Sequence, residues 1–139
     1  MIKNTTKAEY YQRRSKSQVR KSKGEKVYDI RERILRFSQR ILDISEIFPK
    51  TEFNKNICIQ LVKSGTSIGA NMEEADGTLT KKDFLNKIVI ARKEAKETRY
   101  WLRLISGRYI KDEELKPDID EVQEIIYILT AIITKLKNN

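Results

Sequence analysis

Four glutamates invite chemistry before any other residues do. Glu73 with Glu74, and Glu94 with Glu97, are carboxylate pairs of the kind that helical bundles use to hold metal ions. Those sites complete their ligand sets with Glu-x-x-His pairs, and this chain has no histidine. An all-carboxylate Mg²⁺ site is the minor reading; a polar network spanning two helices is the main one. The lack of histidine also removes the commonest general base. Ser64, Thr66 and Ser67 therefore have no partner to activate them, and Gly65 and Gly69 lack the strand context and following lysine of a phosphate loop. The lone cysteine, Cys58, sits between Ile57 and Ile59 and reads as a small buried hydrophobe. The chain is expected to be non-enzymatic, with no cofactor and no bound metal.

Charge carries the stronger signal. The net charge is +9, and residues 1–24 hold eight basic side chains against Glu9 alone. The other 21 basic and 19 acidic groups nearly cancel. Residues 1–24, with Arg13, Arg14, Lys16, Arg20, Lys21 and Lys23, are too polar to bury a core, so they read as a flexible basic arm, disordered when free. Such an arm binds polyanions, steers encounter or solubilises. A second basic set is spaced 4, 3, 4: Arg92, Lys96, Arg99 and Arg103, none with an acidic residue three or four positions away. Such a stripe is either a solvated face or a rail for RNA phosphates, giving affinity without sequence specificity.

The elements that must position these groups are helices. Val27, Ile30, Ile34, Phe37, Ile41, Ile44 and Phe48 step by 3 and 4, and Pro49 ends the first helix. Thr51 can cap the second, which carries Ile57, Leu61, Ile68, Met72 and Ala75 and closes at Asp76-Gly77, with the glycine free to turn left-handed. Thr80 and Asp83 open the third, whose seam is Phe84, Ile88, Ala91, Ala95, Thr98, Leu102 and Ile105. After Ser106-Gly107, a connection over 107–117 leads to Asp118, read as a cap three residues before Glu121. The fourth seam is then Ile119, Val122, Ile126, Leu129, Ile133 and Leu136. The expectation is an all-α chain: an up-down-up-down antiparallel four-helix bundle over 25–139, preceded by the arm. With no signal-peptide core and no membrane-length apolar run, a cytoplasmic protein away from membranes is expected.

Two features of this bundle are unusual. Gly65 and Gly69 fall inside helix 2 at about 1 kcal/mol each relative to alanine. Because the apolar register continues across them, they read as a close-packing face in a continuous helix. Helix 3 has a second partly apolar flank, Ile90, Glu94, Glu97, Trp101 and Leu104. It suggests a neighbouring subunit, or else Trp101 covers the bundle edge. Asn71 and Glu74 on one helix and Glu94 and Glu97 on the next are expected to form a polar network or part of an oligomer interface, with Arg or Tyr partners from this chain or a neighbouring subunit.

The stretch Gln60-Leu-Val-Lys-Ser-Gly-Thr-Ser-Ile-Gly-Ala-Asn-Met-Glu-Glu-Ala75 resembles that of the four-helix-bundle proteins encoded in intervening sequences of bacterial large-subunit ribosomal RNA genes. Lys81-Lys-Asp-Phe-Leu-Asn-Lys-Ile88, Ala91, Glu94-Ala95, Glu97-Thr98 and Tyr100-Trp-Leu102 extend the resemblance. It implies a left-handed up-down bundle assembled as a homopentamer, described as ribosomal-type and associated with RNA. The same superfamily includes the accessory variability determinant of diversity-generating retroelements, a basic pentamer that binds a reverse transcriptase and nucleic acid. Carried over by position, the resemblance makes Asn71, Glu74, Glu94 and Glu97 family polar positions and Trp101 a packing position. It supplies no catalytic residue. The arm at 1–24 lies outside it.

Overall fold

The computed structural model describes residues 30–138. Four helices follow one another: α1 (Ile30–Ile47), α2 (Lys55–Asp76), α3 (Lys81–Ile105) and α4 (Asp112–Lys137). Each neighbouring pair runs antiparallel. Arg31 meets Asp76 and Ser38 meets the Gly65 carbonyl between α1 and α2. Ser64 meets Thr98 and Glu74 meets Lys87 between α2 and α3. Arg92 reaches Thr130 and Arg99 reaches Gln123 between α3 and α4, and Arg33 meets Glu121 between α1 and α4. This is the expected four-helix bundle. The expected arm and the start at Val27 lie outside the described residues.

The apolar stripes of α1, α2 and α3 fall where their spacing puts them. Ile34, Phe37, Ile41, Ile44, Leu61, Ile68, Ile88, Leu102 and Ile105 are fully buried. Cys58 is buried among them, and desolvation pushes its thiol pKa up, with Lys50 pulling weakly the other way. Thr80 caps α3 as read, its hydroxyl accepting from the Asp83 N–H at 3.1 Å. Thr51 plays a different part from the one expected. Its hydroxyl accepts from the N–H groups of Phe53 and Asn54 in a turn before α2, while buried Asn54 is the N-cap residue. The Asn54 side chain ties that turn together, accepting from the Thr51 N–H and donating to the Pro49 carbonyl.

Gly77 does not turn left-handed; its φ is −91°. The Thr78 hydroxyl donates to the Ala75 carbonyl at 2.7 Å, which satisfies that helix end without a left-handed residue. The left-handed position is Gly107, at φ 78°, where its N–H donates to the Ile110 carbonyl and closes a tight connection between α3 and α4.

The start of α4 is the main departure. The helix begins at Asp112, so the expected loop over 107–117 is much shorter and Pro117 lies inside the helix. Proline there leaves the Glu113 carbonyl without its helical donor. Compensation comes from three acidic residues in the first turn, favourable at the positive end of the helix dipole, and from Leu115, which is fully buried. Asp118 is consequently no cap: it is a fully buried carboxylate in the third layer of the core. The seam shifts with it, so Leu115 and Ile125 are core while Ile119 and Leu136 are only half-buried.

Helix α2 is continuous through its glycines. Only Gly65 is required by close approach, since a Cβ there would lie 2.8 and 2.9 Å from the two γ-carbons of Ile41. At Gly69 the nearest atom would be Ile34 Cγ2 at 3.4 Å, an ordinary contact. The two positions should therefore respond oppositely to alanine. Ile41 is β-branched, fully buried and slow to yield, so Gly65→Ala should lose about 1–2 kcal/mol after the gain in helix propensity is counted. Gly69→Ala should gain up to about 1 kcal/mol. Urea denaturation of both variants checks this; equal shifts of the same sign would contradict the packing argument.

Candidate nucleic-acid interface

Helix α3 keeps Ile88, Ala91, Ala95, Thr98, Leu102 and Ile105 on its buried face, so residues offset toward α4 form a separate stripe. That stripe is Arg92, Lys96, Arg99 and Arg103. Arg92 Nη1 donates to Thr130 Oγ1 at 3.4 Å, and Arg99 Nη1 donates to Gln123 Oε1 at 2.6 Å. Both partners are neutral. Among the described residues no carboxylate ion-pairs with any of the four cations. Lys96 and Arg103 are exposed, and Arg92 and Arg99 are half-buried with their charged ends held in place.

Two acids of α4, Asp118 and Glu121, point the other way, toward α1. Glu121 takes Arg33 in a bidentate pair, Nε to Oε2 at 2.9 Å and Nη2 to Oε1 at 2.7 Å. That bond, with Glu124 adding to it, raises the Arg33 pKa against the opposing effect of burial. Arg40 is nearly fully buried and lies 3.2 Å from Asp118 Oδ1 and 3.4 Å from Glu121 Oε2, its guanidinium also 5.7 Å from the Phe37 ring. Asp43 and Glu114 are buried acids as well. Asp118 and Glu121 are thus neutralised from α1, Asp120 pairs with Lys116 on its own helix, and the α4 groups that meet the arginines of α3 are Gln123 and Thr130.

Between the stripe and the outer face of α3 lies an open groove of about 450 Å³, lined by Lys96, Arg99, Tyr100, Arg103 and Leu104. Tyr100 is 57% exposed and stands edge-on to Trp101, with ring centroids 5.1 Å apart and planes at 74°. On the α4 side Tyr127, 61% exposed, falls between Gln123 and Thr130 on one helical face. The antiparallel register set by the two arginine contacts puts it opposite Lys96. Cations interleaved with exposed aromatic rings are the surface that nucleic-acid binding uses, phosphates on the former and bases on the latter.

The structure sorts the other expected residues differently. Arg13, Arg14, Lys16, Arg20, Lys21 and Lys23 lie outside the described residues. Within one chain, no hydrogen bond among the described residues links Asn71 and Glu74 to Glu94 and Glu97. Asn71 Nδ2 donates within its own helix to the Ser67 carbonyl, and Glu74 pairs with Lys87 at 2.5 Å. No bond among the described residues joins either to Glu94, which is half-buried, or to Glu97, which is exposed. The reason is position: Glu74 is exposed on its helix and finds a lysine first. The polar network of this bundle is the Arg33–Arg40–Asp118–Glu121 set between α1 and α4. Trp101 is half-buried, and its indole N–H is enclosed without a hydrogen-bond partner. Leu104, one helical turn from Trp101 on α3, also borders the basic groove.

Among the described residues no three acidic or cysteine side chains converge on a metal-sized site, and no helix is long and apolar enough to cross a membrane. Gln123, Tyr127 and Thr130 had no signal of their own in the sequence. They matter through the register of α4 against α3.

Comparison with known proteins agrees with the architecture. No curated protein matches the chain. A solved protein of unknown function from the S23 ribosomal protein family of Bacteroides thetaiotaomicron VPI-5482 is 37% identical, with a TM-score of 0.70 over 75% of this chain and 97% of that one. The pattern of the 23S rRNA-intervening sequence protein family matches residues 26–131, from the first apolar stripe to within two turns of the end of α4. Given that match over the bundle, the chain belongs to the 23S rRNA-intervening sequence protein family.

Proposed function

We propose that this chain is a non-enzymatic, oligomeric RNA-associated protein of the cytoplasm, which holds RNA along the basic stripe of α3. One observation carries the reading. Asp118 and Glu121 of α4 are engaged by Arg33 and Arg40 on α1, and Arg92 and Arg99 meet the neutral side chains of Thr130 and Gln123. Among the described residues no carboxylate pairs with Arg92, Lys96, Arg99 or Arg103, so their charge is kept for an outside anion. A solvated face made only for solubility has no need to hold Arg99 in a 2.6 Å bond to Gln123. Phosphate contacts of this kind give affinity that falls steeply with salt. The family name suggests the ribosomal RNA insertion, or the transcript encoding the protein, as the RNA. Binding of structured RNA at low ionic strength tests the proposal, and protein with no salt-sensitive binding there would sink it.

Assembly is part of the proposal. Ile90 is exposed beside half-buried Trp101 on one flank of α3, with Glu94 and Glu97 between them. Leu35, Leu42 and Ile59 are exposed on α1 and α2. Family resemblance supports a homopentamer as the form of the assembly. Light scattering should then give a mass several times 16.4 kDa, close to fivefold. A monomer at micromolar concentration contradicts it.

A second reading makes the same assembly an accessory subunit of a reverse transcriptase in a diversity-generating retroelement. The exposed apolar side chains of α1 and α2, remote from the basic groove, leave a surface for such a protein partner. A reverse-transcriptase gene beside this one favours it, and the absence of one counts against it.

A further inference from the structure

We propose that the groove on α3 takes an unpaired nucleotide, its base stacked on Tyr100 and its flanking phosphates on Lys96, Arg99 and Arg103. This rests on the RNA reading above and names the form of RNA that the site selects. The cations alone do not distinguish a duplex from a single strand, because both present phosphates. Tyr100 does distinguish them. A duplex keeps its bases stacked inside, whereas an unpaired base offers a face to an exposed ring.

The geometry suits the second case. Lys96, Tyr100 and Leu104 form one column at four-residue spacing, and Arg99 with Arg103 forms the adjoining column. The ring therefore lies within one helical turn of three cations, as a base lies close to its own phosphates. The tilt of 74° against Trp101 occupies at most one face of the tyrosine, and with 57% of the residue exposed the other is open. The Trp101 contact also fixes the ring, and Gln123 fixes Arg99, so little side-chain freedom is lost when the nucleotide docks. Leu104, 41% exposed, extends the apolar floor on which the edge of a base can rest. A volume of about 450 Å³ lies within the range of small-ligand sites and leaves room for a nucleotide.

The test compares a single-stranded RNA oligomer with a blunt duplex of the same length, both binding full-length protein at one fixed salt concentration. Tyr100→Ala should weaken the single strand by roughly tenfold to a hundredfold and the duplex by less than about twofold. Tyr100→Phe should keep the wild-type preference, since the ring and not the hydroxyl is used. The salt slope for the single strand should be the same in Tyr100→Ala as in wild type, because no phosphate contact is lost. Helical circular dichroism of these surface variants confirms that they fold. Equal losses on both RNAs, or none on the single strand, overturn the stacking site. If charge reversal of the stripe abolishes binding while Tyr100→Ala does not, the stacking site alone falls. Wild-type protein that binds neither RNA overturns the site together with the reading it rests on.

Discussion

An Arg40→Ala variant is expected to lose about 3–5 kcal/mol of folding stability, the largest effect of any single truncation away from the apolar core. Arg40 is 5% exposed and Asp118 is fully buried, so removing the guanidinium takes a cationic partner from a carboxylate held away from water. Glu121 loses one of its two cationic partners at the same time. The penalty comes from the buried charge more than from the lost attraction. The double variant Arg40→Met/Asp118→Leu, which removes both charges and keeps the volume apolar, should therefore recover a large part of the loss. Added salt should change neither result much, because buried pairs are poorly screened. The exposed Arg31–Asp76 pair is the contrast: its removal should cost at most about 1 kcal/mol, and less in high salt. Urea denaturation at constant protein concentration measures all three. A loss below about 1 kcal/mol for Arg40→Ala would contradict the claim that Asp118 depends on Arg40 in the fold.

This network also marks where the sequence was hard to read. Arg40 and Asp43 lie beside the α1 seam, next to Ile41 and Ile44, and that placement was the available signal. Asp118 after Pro117 and three before Glu121 imitates a helix cap, and local chemistry favours that reading. Tertiary burial of Leu115 overrides it, drawing about two more turns of chain into α4 and carrying Asp118 inward. For the glutamates of α2 and α3, spacing places residues on a face but does not choose their partners; within the chain Glu74 finds Lys87.

The bundle itself was legible because α1, α2 and α3 repeat one apolar period, and burial depends on that period alone. The basic stripe was legible for the same reason. Its surroundings were not. Gln123, Tyr127 and Thr130 join the site only because α3 and α4 pack in one register, and no local pattern encodes that register. Whether a row of arginines is free to bind an anion depends on those neighbours. Here they are neutral, which turns a spacing into a candidate interface.

Neutralising the stripe is expected to have the largest effect on binding. With Arg92, Lys96, Arg99 and Arg103 all changed to glutamine, up to four phosphate contacts disappear while the helix keeps good formers at each position. Each contact with a single strand contributes about 0.7 to the salt slope, so the slope should flatten by roughly three. Affinity at low salt should drop by about a hundredfold or more, whatever the RNA sequence, because backbone contacts carry no base information. Stability should change little, since only the Thr130 and Gln123 hydrogen bonds are removed. Deleting residues 1–24 in the same background separates the arm from the stripe. If the stripe is the primary site, its neutralisation flattens the slope with the arm present or absent.

The direct measurement is the affinity of wild-type and quadruple-glutamine protein for one structured RNA with an unpaired loop, titrated from low to high salt. A steep dependence for wild type that flattens by about three in the variant is the predicted result. Superimposable curves for the two proteins would contradict the assignment of the α3 stripe as the RNA-binding surface.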